Sequence, residues 1–379
     1  MPWKVCDAMS IRREFITLAR VSGANIRQLC RQFSISPKTG YKWLKRYEES
    51  GEEGLRDRSR KPHKSPRQTQ AKHEATVVEM RDKRRVWGGR KIRARMIAQG
   101  HQDVPAASTI TDILRRHGRL NEEEAAKHKA WTHFERKTPN EMWQMDFKGH
   151  FATAGGRCHP LTVLDDHSRF SLGLIACSNE NTETVQSGLT SLFRRYGLPD
   201  RILADNGSPW GSKGEVRYTR LNVWLLRLGV ITSHGRAYHP QTQGKEERFH
   251  RTLKAELLRW EDFRDLAHCQ SLFDAWRDAY NMERPHESLG MQVPASRYMV
   301  SQRTFPEALP PIEYDQGDIV RMVSPKGTIS YKGAIHKISL AFQGYPVALK
   351  ARNVDGELDV VFCRYTIGKI DLNKSARVR

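Results

Sequence analysis

The sequence of 379 residues lacks any apolar run of the roughly eighteen residues that a membrane-spanning helix needs. Its first residues, Met1-Pro2-Trp3-Lys4-Val5, have no apolar leader core, which predicts a cytoplasmic protein with no membrane partner. Cysteine is sparse: Cys6, Cys30, Cys158, Cys177, Cys269 and Cys363 are scattered without paired spacing. That pattern excludes a disulfide framework and a zinc ribbon, and predicts reduced core thiols. Acids are scarce too, with 43 Asp and Glu against 64 Lys and Arg and a formal net charge of +21. What is present excludes global disorder: 38% of residues are hydrophobic, and aromatic residues recur along the whole chain. The length predicts several domains.

The excess charge is uneven. Residues 1–137 hold 32 Lys and Arg against 16 Asp and Glu, whereas residues 138–379 hold 32 against 27. A polyanion is attracted chiefly by the first third, so nucleic acid is the expected partner.

Ile26, Leu29, Cys30 and Phe33 fall on one helical face, Ser34-Ile35-Ser36 breaks the pattern, and Ser36-Pro37 starts a new helix. The new helix buries Trp43, Leu44 and Tyr47 and leaves Lys38, Thr39 and Lys42 outside. With a preceding helix over 11–21, residues 1–55 predict a helix-turn-helix with a basic recognition face. A linker over 56–70 carries Arg58, Arg60 and Lys61 ahead of Pro62 and Pro66, suited to an arm along phosphates or to a solvated tether. A second helix-turn-helix is expected over 71–120, with Ser108 as a cap, a buried face of Ile110, Ile113, Leu114 and His117, and exposed Arg90, Lys91 and Arg115. Residues 121–137 form another linker.

From residue 138 to 300 the pattern becomes α/β. Strands are expected at 143–151, 161–164, 170–176, 201–204 and 230–232, and helices at 182–196, 218–228, 242–258 and 265–283, giving a mixed sheet with helices on both faces. A Pro-containing connector leads to short strands over 312–371, which predict a small all-β barrel.

Three carboxylates stand out. Asp146 lies within the strand pattern Trp143-Gln144-Met145-Asp146-Phe147, where an acid is costly unless paired or bound to a cation. Asp205 ends a strand and leads into Asn206-Gly207, the end of a strand where α/β sheets place ligands. Glu247, Arg251 and Lys254 share one face of a helix that opens at Gly244. Asp165-Asp166-His167-Ser168-Arg169 sits between two strands and predicts a hairpin turn capped by its own Asp and Ser.

Asp146, Asp205-Asn206-Gly207 and the Pro240-Gln241-x-x-Gly244 motif ending in Glu247 and Lys254 together resemble the integrase core of DDE transposases and retroviral integrases. The resemblance covers about 138–300, and the helix-turn-helix front half suits the bacterial insertion-sequence branch. The 41 residues between Asp205 and Glu247 exceed the family's usual gap, so Trp210–Arg220 is expected to be an inserted, DNA-contacting loop. The His-His-Cys-Cys zinc module of retroviral integrases is missing. Glu246 competes with Glu247 as the third acid, and the offsets from Gly244 and Lys254 favour Glu247.

The resemblance implies a multidomain protein: tandem helix-turn-helix units, an RNase H-like catalytic core and a small barrel. It implies that Asp146, Asp205 and Glu247 hold two Mg²⁺ ions, with Mn²⁺ as a substitute, and that Asn206 and His239 support them. Arg251 and Lys254 then grip double-stranded DNA, either an element end or the target. The implied function is that of a transposase cutting and joining DNA, acting as a homo-oligomer in a prokaryotic nucleoid. A regulator that has lost catalysis and an RNase H-like nuclease that only hydrolyses are the alternatives.

Overall fold

The computed structural model describes residues 8–57, 69–120, 135–205, 207, 209–211, 218–234 and 244–373. The chain divides into two compact units, Met1–Gln68 and Thr69–Arg379.

The first unit contains α1 (Ala8–Ala19), α2 (Ile26–Gln32) and α3 (Pro37–Ser50). The Asn25 side chain accepts from the Gln28 N–H at 3.1 Å and starts α2. Ser36 does the same for Thr39 at 3.2 Å, with Pro37 in the first turn of α3. Ser34 adopts φ +51° in the turn between them. Phe15, Ile16, Cys30, Trp43 and Leu55 fill the core, while Leu44 and Tyr47 are only half-buried. This is the helix-turn-helix that the sequence predicts. Arg58, Arg60 and Lys61 lie outside the described residues.

The second unit begins with α4 (Ala71–Lys83), α5 (Gly89–Ala98) and α6 (Ala107–Arg116), closed around Val77, Trp87, Ile92, Met96, Ile110 and Leu114. Two local expectations fail here. Ser108 lies inside α6, whose preceding residue Ala106 offers no side-chain cap. His117 falls beyond the helix and is exposed, beside Glu74 at 3.5 Å.

A mixed sheet follows, made of β1 (Trp143–Phe147), β2 (Phe151–Thr153), β3 (Gly156–Asp165), β4 (Ser171–Cys177), β5 (Arg201–Ala204) and β6 (Ile231–His234). Its order is β2-β3-β1-β5-β6 with β4 also on β3, and β1, β5 and β6 run parallel. One face packs on α7 (Thr182–Tyr196) and α8 (Arg220–Arg227) through Val185, Leu189, Phe193, Leu221 and Leu225. The other packs on α9 (Gly244–Leu253) and α10 (Leu266–Met282) through Phe249, Leu253, Phe273 and Trp276. The first expected strand stops at Phe147, and Lys148–His150 turns the chain into β2.

The connector after α10 is held to the core. Arg303 donates to the carbonyls of Pro199 at 2.7 Å, Leu228 at 3.0 Å and Gly229 at 2.9 Å. The tail is all-β: β7 (Ile319–Met322), β10 (Pro346–Ala351), β11 (Glu357–Phe362) and β12 (Tyr365–Asp371) form a four-stranded sheet, and β8 (Thr328–Tyr331) pairs β9 (Ala334–Lys337). Its core of Ile329, Phe342, Val347, Val360 and Phe362 also takes in Val223 and Leu226 of α8. Among the described residues, no helix is long and apolar enough to cross a membrane. Cys30, Cys158, Cys177 and Cys269 are buried free thiols and Cys363 is a half-buried one.

Candidate active site

Parallel pairing sets Trp143 beside Ile202 and Gln144 beside Leu203. The same offset carries Asp146 on β1 to the level of Asp205 at the end of β5. Burial, followed by the negative charge of Asp205, pushes the Asp146 carboxyl up to about 7.

Asp205 is held from its own loop. The Gly207 N–H donates to Oδ1 at 2.9 Å, and the indole N–H of Trp210 donates to the same oxygen. A side chain at position 207 would crowd that carboxylate, since a Cβ there lies 3.1 Å from Oδ2. Trp210 is 2% exposed and stacks on Phe147 at 5.3 Å. It is therefore core structure supporting Asp205, and not the start of a DNA-contacting loop; residues 212–217 lie outside the described residues.

The third acid divides between neighbours on α9. Glu246 is 1% exposed, whereas Glu247 faces outward with Arg251 and Lys254. The Thr162 hydroxyl donates to the Asp146 backbone carbonyl at 2.8 Å and lies 3.0 Å from Glu246 Oε2 and 2.9 Å from His250 Nε2. Burial, then Asp146, raises the Glu246 carboxyl well above the carboxylate range, and its Oε1 has no hydrogen-bond partner. Burial and Lys148 hold His250 down to about 3, so its ring is neutral. Sequence patterning missed this buried cluster, although Glu246, Phe249, His250 and Leu253 do share the inward face of α9.

The turn after β3 is structural, as expected. Asp165 Oδ2 accepts from the Ser168 N–H at 2.8 Å and its hydroxyl at 2.6 Å, and Oδ1 accepts from the Asn140 N–H at 2.8 Å. Asp166 holds Lys245 of α9 at 2.6 Å, a buried ion pair that the sequence did not reveal. Lys38, Lys42, Arg90 and Arg115 are exposed, and Thr39 and Lys91 are partly buried. Asn206 and His239 lie outside the described residues. Among those described, no three Asp, Glu, His or Cys side chains converge as an ion site, so the structure brings Asp146 to Asp205 and leaves Glu247 apart on the outer face.

The sequence matches the family described as "Integrase core domain" over residues 136–240 and again over 228–294. Residues 136–294 are thus similar to the integrase-core family. Around that core it also matches a helix-turn-helix domain over 11–63, a homeodomain-like domain over 39–114, and the C-terminal domain of IS481 family transposases over 318–377. Its relatives include an IS407 insertion-element protein from Burkholderia multivorans, 28% identical over 45% of this chain and 59% of that one. An IS476 insertion-element protein from Xanthomonas euvesicatoria is 28% identical over 44% of this chain and 46% of that one. The chain thus spans about half the length of these curated relatives. A simian T-cell lymphotropic virus intasome, solved in complex with a PP2A regulatory subunit, aligns at 14% identity and a TM-score of 0.40, over 80% of this chain and 98% of that one.

Proposed function

We propose that this DDE-superfamily chain is a transposase that binds the ends of a mobile element and carries out Mg²⁺-dependent cleavage and strand transfer in the prokaryotic nucleoid. The observation that carries the reading is the register-matched pair Asp146 and Asp205, in which burial, then the charge of Asp205, lifts the Asp146 carboxyl. Carboxylates on two adjacent strands suit a hard divalent cation. Asp146 and Asp205 would hold it, and Glu247, which this structure leaves apart on the outer face of α9, would have to be drawn in as the third ligand. Glu247 is preferred to Glu246 because it is solvent-facing, whereas Glu246 is buried and already engaged by Thr162 and His250. When bound, a pair of such ions activates the attacking oxygen and stabilises the leaving one.

The chain's own residues do the rest. Thr162 and His250 fix the strand and helix that carry the acids, and Trp210 fixes the Asp205 carboxylate. Arg251 and Lys254, exposed on the face of Glu247, hold backbone phosphates. Asn206 and His239 are assigned a supporting role. Lys38, Thr39, Lys42, Arg58, Arg60, Lys61, Arg90, Lys91 and Arg115 are assigned to DNA binding. Joining two ends calls for at least two copies on DNA, hence a homo-oligomer.

The test is incubation with DNA from the element's own ends, scored for nicking and joining with and without Mg²⁺. Asp146→Asn, Asp205→Asn and Glu247→Gln should each lower both reactions by about a thousandfold or more while end binding survives, since an amide keeps shape but loses charge. Glu246→Gln, which preserves the contact with Thr162, should keep most activity. A dead Glu246→Gln beside an active Glu247→Gln would reverse the assignment, and four active variants would sink the mechanism.

A further inference from the structure

A second, cationic cavity lies away from the acids, at the seam between the second helix-turn-helix and the core. The seam is built by charge. Arg84 pairs with Glu283 at 2.7 Å, Arg90 with Glu287 at 3.7 Å, and the Arg85 guanidinium lies 4.8 Å from the Trp260 ring. Beside these contacts is a cavity of about 210 Å³ between α5, the first turn of α9 and the segment after α10. Lys91, Arg169, Lys245, Arg248, Arg284 and His286 line it, and among the described residues Glu287 is the only acid in its wall.

Most of these cations are already answered. Arg284 has Glu256 at 2.9 Å, Lys245 has Asp166 at 2.6 Å, and Arg169 has Glu135 at 3.5 Å. Glu287 is engaged by Arg90. Among the described residues, Lys91 and Arg248 have no carboxylate within ion-pair distance, although Lys91 still feels the charges of Glu256 and Glu287. The buried His286 ring records the resulting field: burial, then Arg284, Lys91, Arg169 and Arg248, hold it well below its ordinary range. The first turn of α9, at Gly244, adds the positive end of a helix to the same wall.

A partly buried ammonium such as Lys91, with no ion pair among the described residues, costs free energy until an anion arrives, and the exposed Arg248 guanidinium lines the same cavity. Guanidinium and ammonium donors converging from two elements suit a phosphate, whose several oxygens can accept from both. We propose that this cavity seats a phosphate of the DNA backbone, gripped by Lys91 of the second helix-turn-helix and Arg248 of the catalytic helix. The proposal rests on the transposase reading for the source of the phosphate. It adds to that reading a physical link between end recognition and chemistry. Lys91 and Arg248 would hold one strand between the reading unit and the helix that presents Glu247, Arg251 and Lys254.

The experiment compares the full chain with a Lys91→Gln/Arg248→Gln double variant in two arms. In the first, inorganic phosphate is the probe, with chloride at matched ionic strength as the control. Phosphate should raise the unfolding midpoint of the wild type by about 2–4 °C and leave the variant unmoved. In the second arm the variant should bind element-end DNA about tenfold or more weakly, and its slope of log affinity against log salt should fall by about one to two. In chloride alone the variant should be at least as stable as the wild type, because two unanswered like charges have gone. A variant less stable in chloride would mean that these cations hold the fold, and would overturn the proposal. An equal phosphate response in both proteins would overturn it as well. If the phosphate response vanished while DNA affinity and salt slope stayed, the seat would belong to a free phosphate and the DNA assignment would fall. A wild-type chain that bound no DNA would instead bring down the transposase reading, and the phosphate arm would still report on the seat.

Discussion

Lys91 shows how one side chain can be strained by a site that is waiting for a ligand. Burial, followed by the charge of Arg284, pushes the Lys91 ammonium down to about 8 against the opposing pull of Glu256 and Glu287. In the unfolded chain an ordinary lysine titrates near about 10.4. Between those two values the unfolded state binds the extra proton, so stability rises with pH across that window. Below about pH 8 the ammonium is charged in both states and the full cost of burying it is present. Lys91→Gln removes that cost. In phosphate-free buffer the variant should be more stable than the wild type by about 1–3 kcal/mol at pH 7.5, and the gap should shrink as pH rises towards about 10. Unfolding measurements on both proteins across that range decide it. A gap that stays constant would show that Lys91 is not the titrating group.

At the scale of elements, each helix-turn-helix closes over a glycine. A Cβ added at Gly40 of α3 would run into the Cys30 sulfur and would sit 2.9 Å from the Phe15 ring. One added at Gly89 of α5 would strike the Ala107 carbonyl and the Thr111 hydroxyl of α6. Backbone gives less readily than a side-chain tip, so Gly89→Ala is expected to cost about 1–3 kcal/mol and to push α5 from α6. Slowed amide exchange in α5 and α6 of the wild type, lost in the variant, would confirm the crowding; unchanged exchange and stability would refute it. Neither close approach can be read from the sequence, where both glycines look like ordinary helix residues. Other elements were legible to the residue. Helix 182–196 is opened by Asn181, whose side chain accepts from Thr184, and closed by Gly197 at φ +74°. Strand 201–204 was likewise foreseen as Arg201–Ala204. Asp146 was visible because an acid in an apolar strand breaks its pattern, and Asp205 because it follows a strand and leads into Asn206-Gly207. Glu246 was not, because its burial depends on Thr162, 84 residues away. The Asp166–Lys245 pair and the cationic seam were hidden for the same reason: they join residues that only the tertiary fold makes neighbours.

Across the whole molecule, the β-rich tail and the DNA-reading front differ in how they depend on the core. Residues 1–68 form a unit with its own core of Phe15, Ile16, Cys30, Trp43 and Leu55. The tail instead shares its core with α8, where Val223 is 1% and Leu226 5% exposed, and Arg303 ties the connector to the loops after α7 and α8. A chain ending at Ser301 would therefore uncover two apolar side chains, worth about 3–6 kcal/mol together, and would lose the Arg303 bonds. The α8 that it unseats also packs Leu221 and Leu225 under the sheet that aligns Asp146 with Asp205. Removing 1–68 should lower affinity for element ends yet leave the unfolding midpoint of 69–379 within about 2 °C of its value in the full chain. Ending the chain at Ser301 should instead lower that midpoint by about 5 °C or more and open α8 to protease. Thermal unfolding and limited proteolysis of the two truncations separate these outcomes. A Ser301 truncation as stable and as active as the full chain would show that the tail contributes nothing to the core, and would leave DNA or protomer contact as its only remaining role.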